Sequence, residues 1–509
     1  MDTEGGGIYI GNDPEEIYSE EPFSEEPFSS KDSSTNVTAV VTETDRRGNL
    51  HHLEAVAVEH HHTFTEFGQR GQIKFLPEVD EHLHSLFPAI RPRQYFIDGV
   101  LYREKSLRKV TWDELFLDLV YVAAFDRLGY LFKHDNVDGI AVNSYMLAFL
   151  VVWNSWSMIH MNVNRYGADG FVHRLFTWAM TVLVSAMGIN IVHIFDQGDS
   201  STANIFIILF IILRVLNFVF VIMGNHHSRQ FWKDVFPYQL GHYFSTIPWL
   251  ASVFLPAAYR TPLWWISSLC DLFLPSMCAL ATRRYLKISH RLAINIEHNT
   301  ERYGALTLIV IGEIVVGFLW DSPSPHISTS FLATIFGVLI AIFFHWIYFA
   351  IDSSNYYVHA ARRKAIAGWT WYLLHIPLHS SLIAVGSAMG YVVTEHANAV
   401  NADLPAPAVT AAHRWILAAG CSIAIISLTL MSLAHELYPC HDRRVSDTIR
   451  FVMRTVVAVA MVVLAVWGES LSMLALMGTI VGLLMSLALF EEYGRLRISR
   501  PCAVKSPHV

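Results

Sequence analysis

Charge is what this chain has least of. Asp, Glu, Lys and Arg make up 16% of its 509 residues, against about 25% in ordinary soluble domains. That scarcity excludes a soluble globular protein, and a mean hydropathy of +0.35 places the chain among integral membrane proteins. Cysteine is scarce as well: Cys270, Cys278, Cys421, Cys440 and Cys502 form no CxxC pair, so neither a disulfide framework nor a zinc ribbon is expected. No GxSxG, Walker or dinucleotide pattern stands in a segment able to fold outside a membrane, and nothing resembles a nucleic-acid-binding surface. The opening, MDTEGGGIYIGNDPEE, is acidic and lacks an apolar core, so no signal peptide is expected there.

What is present is length in apolar runs. Twelve of them fall near 112–132, 139–161, 171–195, 203–223, 238–258, 262–282, 303–320, 327–351, 368–393, 412–436, 449–467 and 471–490. About 20 helical residues cross a hydrocarbon core of about 30 Å. The expected fold is therefore all-α, a polytopic transmembrane bundle of about twelve spans. The last two runs are joined only by residues 468–470, which suits a tight hairpin or a partly re-entrant pair.

The loops alternate in charge. One set carries Arg165 and Arg174, Arg229 and Lys233, Arg283, Arg284, Lys287 and Arg291, Arg362 to Lys364, and Arg443 and Arg444. The other reads DQGDSSTA, DSPSPHIS and TEHANAVNADLPAPAV, with no Lys or Arg; Lys133, Arg260 and Arg414 are the exceptions. Positive residues stay cytosolic, so both termini are expected there. The organisation that follows is a disordered acidic and His-containing tail over 1–90, a basic juxtamembrane segment over 91–110, the helical domain over 111–495 and a short tail over 496–509. The tail histidines lack a rigid scaffold and are expected to be plain polar residues. An even number of spans admits two six-helix halves, since the first and seventh both carry acids and each is followed by an aromatic helix.

Ionisable residues inside such helices are costly and normally face protein or water. The first span carries Glu114, Asp118, Asp126 and Arg127, with Asp126 free to pair with its neighbour Arg127. Arg214 lies deep in the fourth span, where an unpaired guanidinium is scarcely tolerable; Asp118, Asp126, Asp271 and Glu313 are its candidate partners. Glu313 sits among Ile and Val in the seventh span, suiting a proton relay, a cation site or a neutral structural acid. Gly304, Gly312 and Gly317 around it would permit close helix approach. His193, His242, His345, His375 and His379 fall in apolar surroundings, and the spacing of the last two sets both rings on one helix face. That spacing fits a relay or a metal, although Pro377 between them bends the helix and no accompanying acid completes a metal motif. No metal and no cofactor are expected.

Four stretches resemble one family. Glu114–Phe125, ELFLDLVYVAAF, is similar to the opening signature of the low-temperature-requirement A membrane proteins. NRYGADGFVHRL resembles their second motif, with Asn164, Arg165, Asp169 and Arg174. ERYGALTLIVIGE resembles their third, with Glu301, Arg302, Gly304, Gly312 and Glu313, and His375 falls where the family tends to have a histidine before Pro-Leu. The sequence departs in having Ile314 after Gly-Glu, where Ser is usual, Asp126-Arg127 where small or polar neutral residues are expected, and the long acidic tail. The resemblance implies a multi-pass helical protein with a role in growth or membrane physiology in the cold, and it implies no reaction. Two functions then compete: a small-solute or ion transporter lined by the first and seventh spans, and a lipid-responsive scaffold whose charges are structural. An intramembrane enzyme using the histidines is the third. The lipid bilayer is the one partner expected.

Overall fold

A computed structural model of the chain describes residues 62–66, 69–76, 90–105, 108–133, 137–167, 170–196, 198–226, 228–320, 327–351, 357–405, 407–437 and 444–496. The helices are α1 (Trp112–Gly129), α2 (Gly139–Arg165), α3 (Phe171–Asn190), α4 (Ala203–His226), α5 (Trp232–Phe254), α6 (Arg260–Tyr285), α7 (Ile296–Trp320), α8 (Thr329–Ile351), the single turn α9 (Ala360–Arg363), α10 (Ala365–Asn401), α11 (Ala411–Ala434), α12 (Asp447–Trp467) and α13 (Met473–Arg495). All but α9 coincide with the twelve apolar runs. Several starts are set by side chains that take up otherwise unpaired backbone N–H groups: Asp138 accepts from Ile140 and Ala141, Thr410 from His413, and Ser472 from Ala475. Thr111 and Glu114 form a reciprocal capping box at α1.

Eight of these helices are long and apolar enough to cross a membrane. The long helices that are not, α1, α2, α5 and α7, hold much of the polar interior. Their outward neighbours show the opposite pattern: Val182 is 68% exposed, Ile189 71% and Val459 56%, while Asp118 and Arg302 are buried. A bundle that is apolar outside and charged inside is built for lipid, where each backbone polar group is satisfied within its own helix.

The packing repeats. α1 lies against α2 and α3 as α7 lies against α8 and α10; α2 meets α6 as α8 meets α13; α5 and α6 pair as α12 and α13 do; and α1 meets α7. Glycines set the closest approaches. A Cβ on Gly241 of α5 would stand 2.5 Å from the Pro275 backbone of α6, and one on Gly386 of α10 would stand 2.8 Å from Ile314 Cα of α7. Gly312 does not act this way, for a Cβ there meets nothing within 4 Å, and at Gly304 and Gly317 it would make only ordinary contacts.

At the end where α1 begins lies a feature the sequence reading passed over. β1 (His62–Glu66), β2 (Gln69–Leu76), β4 (Tyr95–Ile97), β5 (Val100–Glu104) and β7 (His290–Leu292) form one sheet in the order β1-β2-β5-β4-β7. The basic juxtamembrane segment contains a hairpin, turning on Asp98 at φ 49 and Gly99 at φ 87, the paired positive angles of a tight two-residue turn. β1 and β2 fall inside the stretch read as tail. Two-residue ladders join β3 (Arg91–Pro92) to β6 (Tyr166–Gly167) and β8 (Tyr357–Val358) to β9 (Glu436–Leu437).

The glycine contacts yield a contrast. Gly241→Val pushes a side chain into the α6 backbone and is expected to cost about 1–3 kcal/mol or more, seen as lower thermostability in detergent. Gly312→Ala should leave thermostability near wild type. Equal effects would show that the α5–α6 contact is looser than described.

Candidate functional site

The most connected polar group joins α1, α2 and α7 at the end where α1 begins. Glu114, having capped its helix, takes Arg108 on one oxygen, and on the other both the Thr111 N–H at 3.2 Å and His298 Nε2 at 2.9 Å. Asn164 Nδ2 donates to His298 Nδ1 at 3.1 Å, so His298 is the tautomer that donates from Nε2. One turn along α1, Asp118 Oδ1 accepts from Trp156 Nε1 at 2.8 Å and Arg302 at 2.7 Å. Arg108 and Arg302 balance Glu114 and Asp118, leaving a neutral cluster in which every side chain is under a tenth exposed. Within it Asp118 Oδ2 and the Nε and NH1 groups of Arg302 have no partner.

A second group ties α4 to α6 through α5. Arg214 pairs with Asp271, so of its four candidate acids this is the one; it also reaches Thr246 and the His242 carbonyl at 3.1 Å and stacks on Phe210. Ser245 donates to the same carboxylate. The second half has a counterpart that the sequence reading missed: Glu491 of α13, 3% exposed, takes Arg450 at 2.8 Å and Arg454 at 2.7 Å, both from α12. The four-residue spacing of those arginines was the available signal.

The third group is a pair of acids. Glu313 of α7, 7% exposed, has the carboxyl of Asp126 on α1 as its charged neighbour, with Lys133 close by; Asp126 itself lies exposed. Two neighbouring carboxyl groups disfavour double ionisation, and a proton on one of them relieves it. Asp126 and Arg127 both lie exposed on α1, and they form no ion pair with each other among the described residues. The two acids hold equivalent places: Asp126 follows Glu114 by twelve residues, and Glu313 follows Glu301 by twelve.

The histidines divide. His345 and His193 are exposed, not buried, and His345 only packs its ring on Phe349. His375 is fully engaged, donating from Nδ1 to the Trp371 carbonyl at 2.9 Å and accepting at Nε2 from the Tyr348 hydroxyl at 3.2 Å. His379 is not: its Nε2 meets Thr307 Oγ1 at 2.8 Å, and its Nδ1, fully buried, has no partner. An unmet buried polar atom costs about 1–3 kcal/mol. Among the described residues no three of His, Cys, Asp and Glu are placed to hold a metal ion.

The remaining motif residues scatter. Arg165 stacks over Tyr238 at 4.7 Å, Arg174 reaches Asp113 at 3.6 Å on the surface, and Glu301 is exposed. Asp169 lies outside the described residues.

Helices apolar outside, with paired charges inside, define a multi-pass integral membrane protein. Residues 109–489 match the family model described as bacterial low temperature requirement A protein (LtrA). The chain belongs to the LtrA family. A comparison with curated proteins returns no match.

The Arg214 pair gives the second prediction. Arg214→Met alone strands Asp271 and should cost about 3–5 kcal/mol, whereas Arg214→Met with Asp271→Leu should regain much of the loss. Thermostability in detergent reads both. No recovery in the double variant would mean that the pair is not what Arg214 contributes.

Proposed function

We propose that this chain is a small-solute or ion transporter, coupled to protons, whose path runs along the contact of α1 and α7. The observation that carries this reading is the Asp126–Glu313 pair. Each acid sits toward the far end of an otherwise apolar stretch. Membrane proteins accept such groups where they face one another or a polar path. A proton held between two carboxyls is exchangeable, and its loss leaves two like charges in contact. Those charges either separate or recruit a cation. The buried carboxylates Glu114, Asp118, Asp234, Asp271 and Glu491, by contrast, each have guanidinium partners and serve to hold helices together.

The accompanying topology has twelve crossings with both termini cytosolic, supported by the loop charges. Reporter tags at Ser200 and at either terminus should label from opposite sides of the membrane. Labelling from the same side would remove the twelve-crossing arrangement.

The transport reading is tested in liposomes with pH- and ion-sensitive dyes. Glu313→Gln keeps size and hydrogen-bonding capacity while removing titration. It is expected to express and melt like wild type and to lose flux by about 100-fold or more, the scale of a lost acid–base group. Asp126→Asn should behave similarly, since it breaks the same pair. Wild-type flux in both variants would leave the acids as packing and favour the lipid-responsive scaffold needed for growth in the cold.

A further inference from the structure

Between the carboxyl pair and the neutral charge cluster, α7 faces α10 through the polar contact of Thr307 with His379. The hydrogens there can be assigned. Thr307 has a single hydroxyl proton and donates it to the Tyr303 carbonyl at 2.8 Å. Toward His379 it can therefore only accept, so His379 Nε2 is the N–H and Nδ1 is the bare lone pair. That lone pair is wholly buried and nothing meets it.

His375, one turn back on the same face, shows what a structural histidine looks like here. Its two nitrogens are occupied, one by a backbone carbonyl and one by a tyrosine hydroxyl. Its ring stands 5.3 Å from that of His379, centroid to centroid, so the two share surroundings but not wiring. Thr307 lies six residues before Glu313 on α7, about 9 Å along the helix.

We infer that His379 is the proton-binding group of the bundle core, with Nδ1 as the accepting atom and Thr307 as the residue that fixes the tautomer. The inference rests on the transport reading and adds a second proton station to it. In the step, a proton leaves the O–H of the Asp126–Glu313 pair, whose bonding electrons remain on oxygen as carboxylate. The transfer requires α7 and α10 to part at the Gly386–Ile314 contact, so that water carries the proton the intervening distance. It forms an N–H bond at Nδ1, giving an imidazolium with two N–H groups, and later departs to regenerate the neutral ring. His375 on its own helix is a titratable neighbour of the ring, and Tyr303 on α7 packs in turn on His375, 4.7 Å between ring centroids. Neither carries a fixed charge that would hold the proton in place.

Two measurements on the full-length protein test this. The first is proton flux in liposomes, alongside thermostability, for wild type, His379→Gln, Thr307→Val and His375→Gln. His379→Gln should lose flux by about 100-fold or more without a matching loss of stability. Thr307→Val, which frees the tautomer, should reduce flux by less, and His375→Gln should lose stability while keeping flux per folded molecule. The second is the histidine 15N spectrum of the protein in nanodiscs on acidification, with His379 assigned by its absence in His379→Gln. The expected spectrum shows Nε2–H at neutral pH and a doubly protonated ring on acidification. Wild-type flux in His379→Gln, or a His379 signal that never gains a second N–H while the protein stays folded, overturns the inference and leaves the transport reading intact. A His379 ring that protonates in a protein carrying no flux leaves the proton site standing and removes the transport reading.

Discussion

A guanidinium in the middle of an apolar helix bundle has to meet an acid, and that requirement organises this molecule. Lipid offers no water to solvate Arg214, Arg302 or Arg454, so the charge of each is balanced by a carboxylate on a different helix: Asp271, Asp118 and Glu491. Burying both members of such a pair contributes little net stability, but leaving one alone is severe. The pairs therefore act as registration devices. They fix which helices adjoin and at what height, and the apolar side chains then fill the space between them.

That logic separates two kinds of acid. Where the acid has a guanidinium, it also has further donors, as with Trp156 on Asp118 or Ser245 on Asp271, and its position is overdetermined. Asp126 and Glu313 have each other, with Lys133 beside them, and no guanidinium between them. They also stand at matching distances along the opening helices of the two packing repeats. An acid held by another acid is held only while a proton remains, a weaker and reversible tie than any ion pair elsewhere in the bundle.

Much of the helical architecture was legible because apolar runs of span length leave little choice of structure. The need for a partner at Arg214 was legible for the same reason, yet its identity was not, because four acids lay within apolar segments and helix order alone does not give helix adjacency. His345 and His375 sit in equally apolar text; only packing shows that one faces outward and the other is wired on both nitrogens. His379 was visible as half of a spaced pair, while the bare Nδ1 depends on where Thr307 sends its one proton. Gly312 was misjudged because a small residue signals close approach only if a neighbour arrives, and here the neighbour arrives at Gly386. The Asp98-Gly99 turn was readable by its dipeptide and was obscured by the surrounding basic residues, which favoured a membrane-surface reading.

That hairpin has a mechanical consequence. β5 runs into α1 and β7 runs into α7, while β4 lies between them, hydrogen-bonded to both. The opening helices of the two packing repeats are therefore stitched at one end to a common strand. Arg103 of β5 adds a cross-link 3.7 Å from Glu297 at the start of α7. With one end sewn and the other joined by a carboxyl pair, α1 and α7 resemble the legs of a pair of tweezers. A lever joined at one end moves most at the other, so a small change in angle at the sheet becomes an opening at the acids.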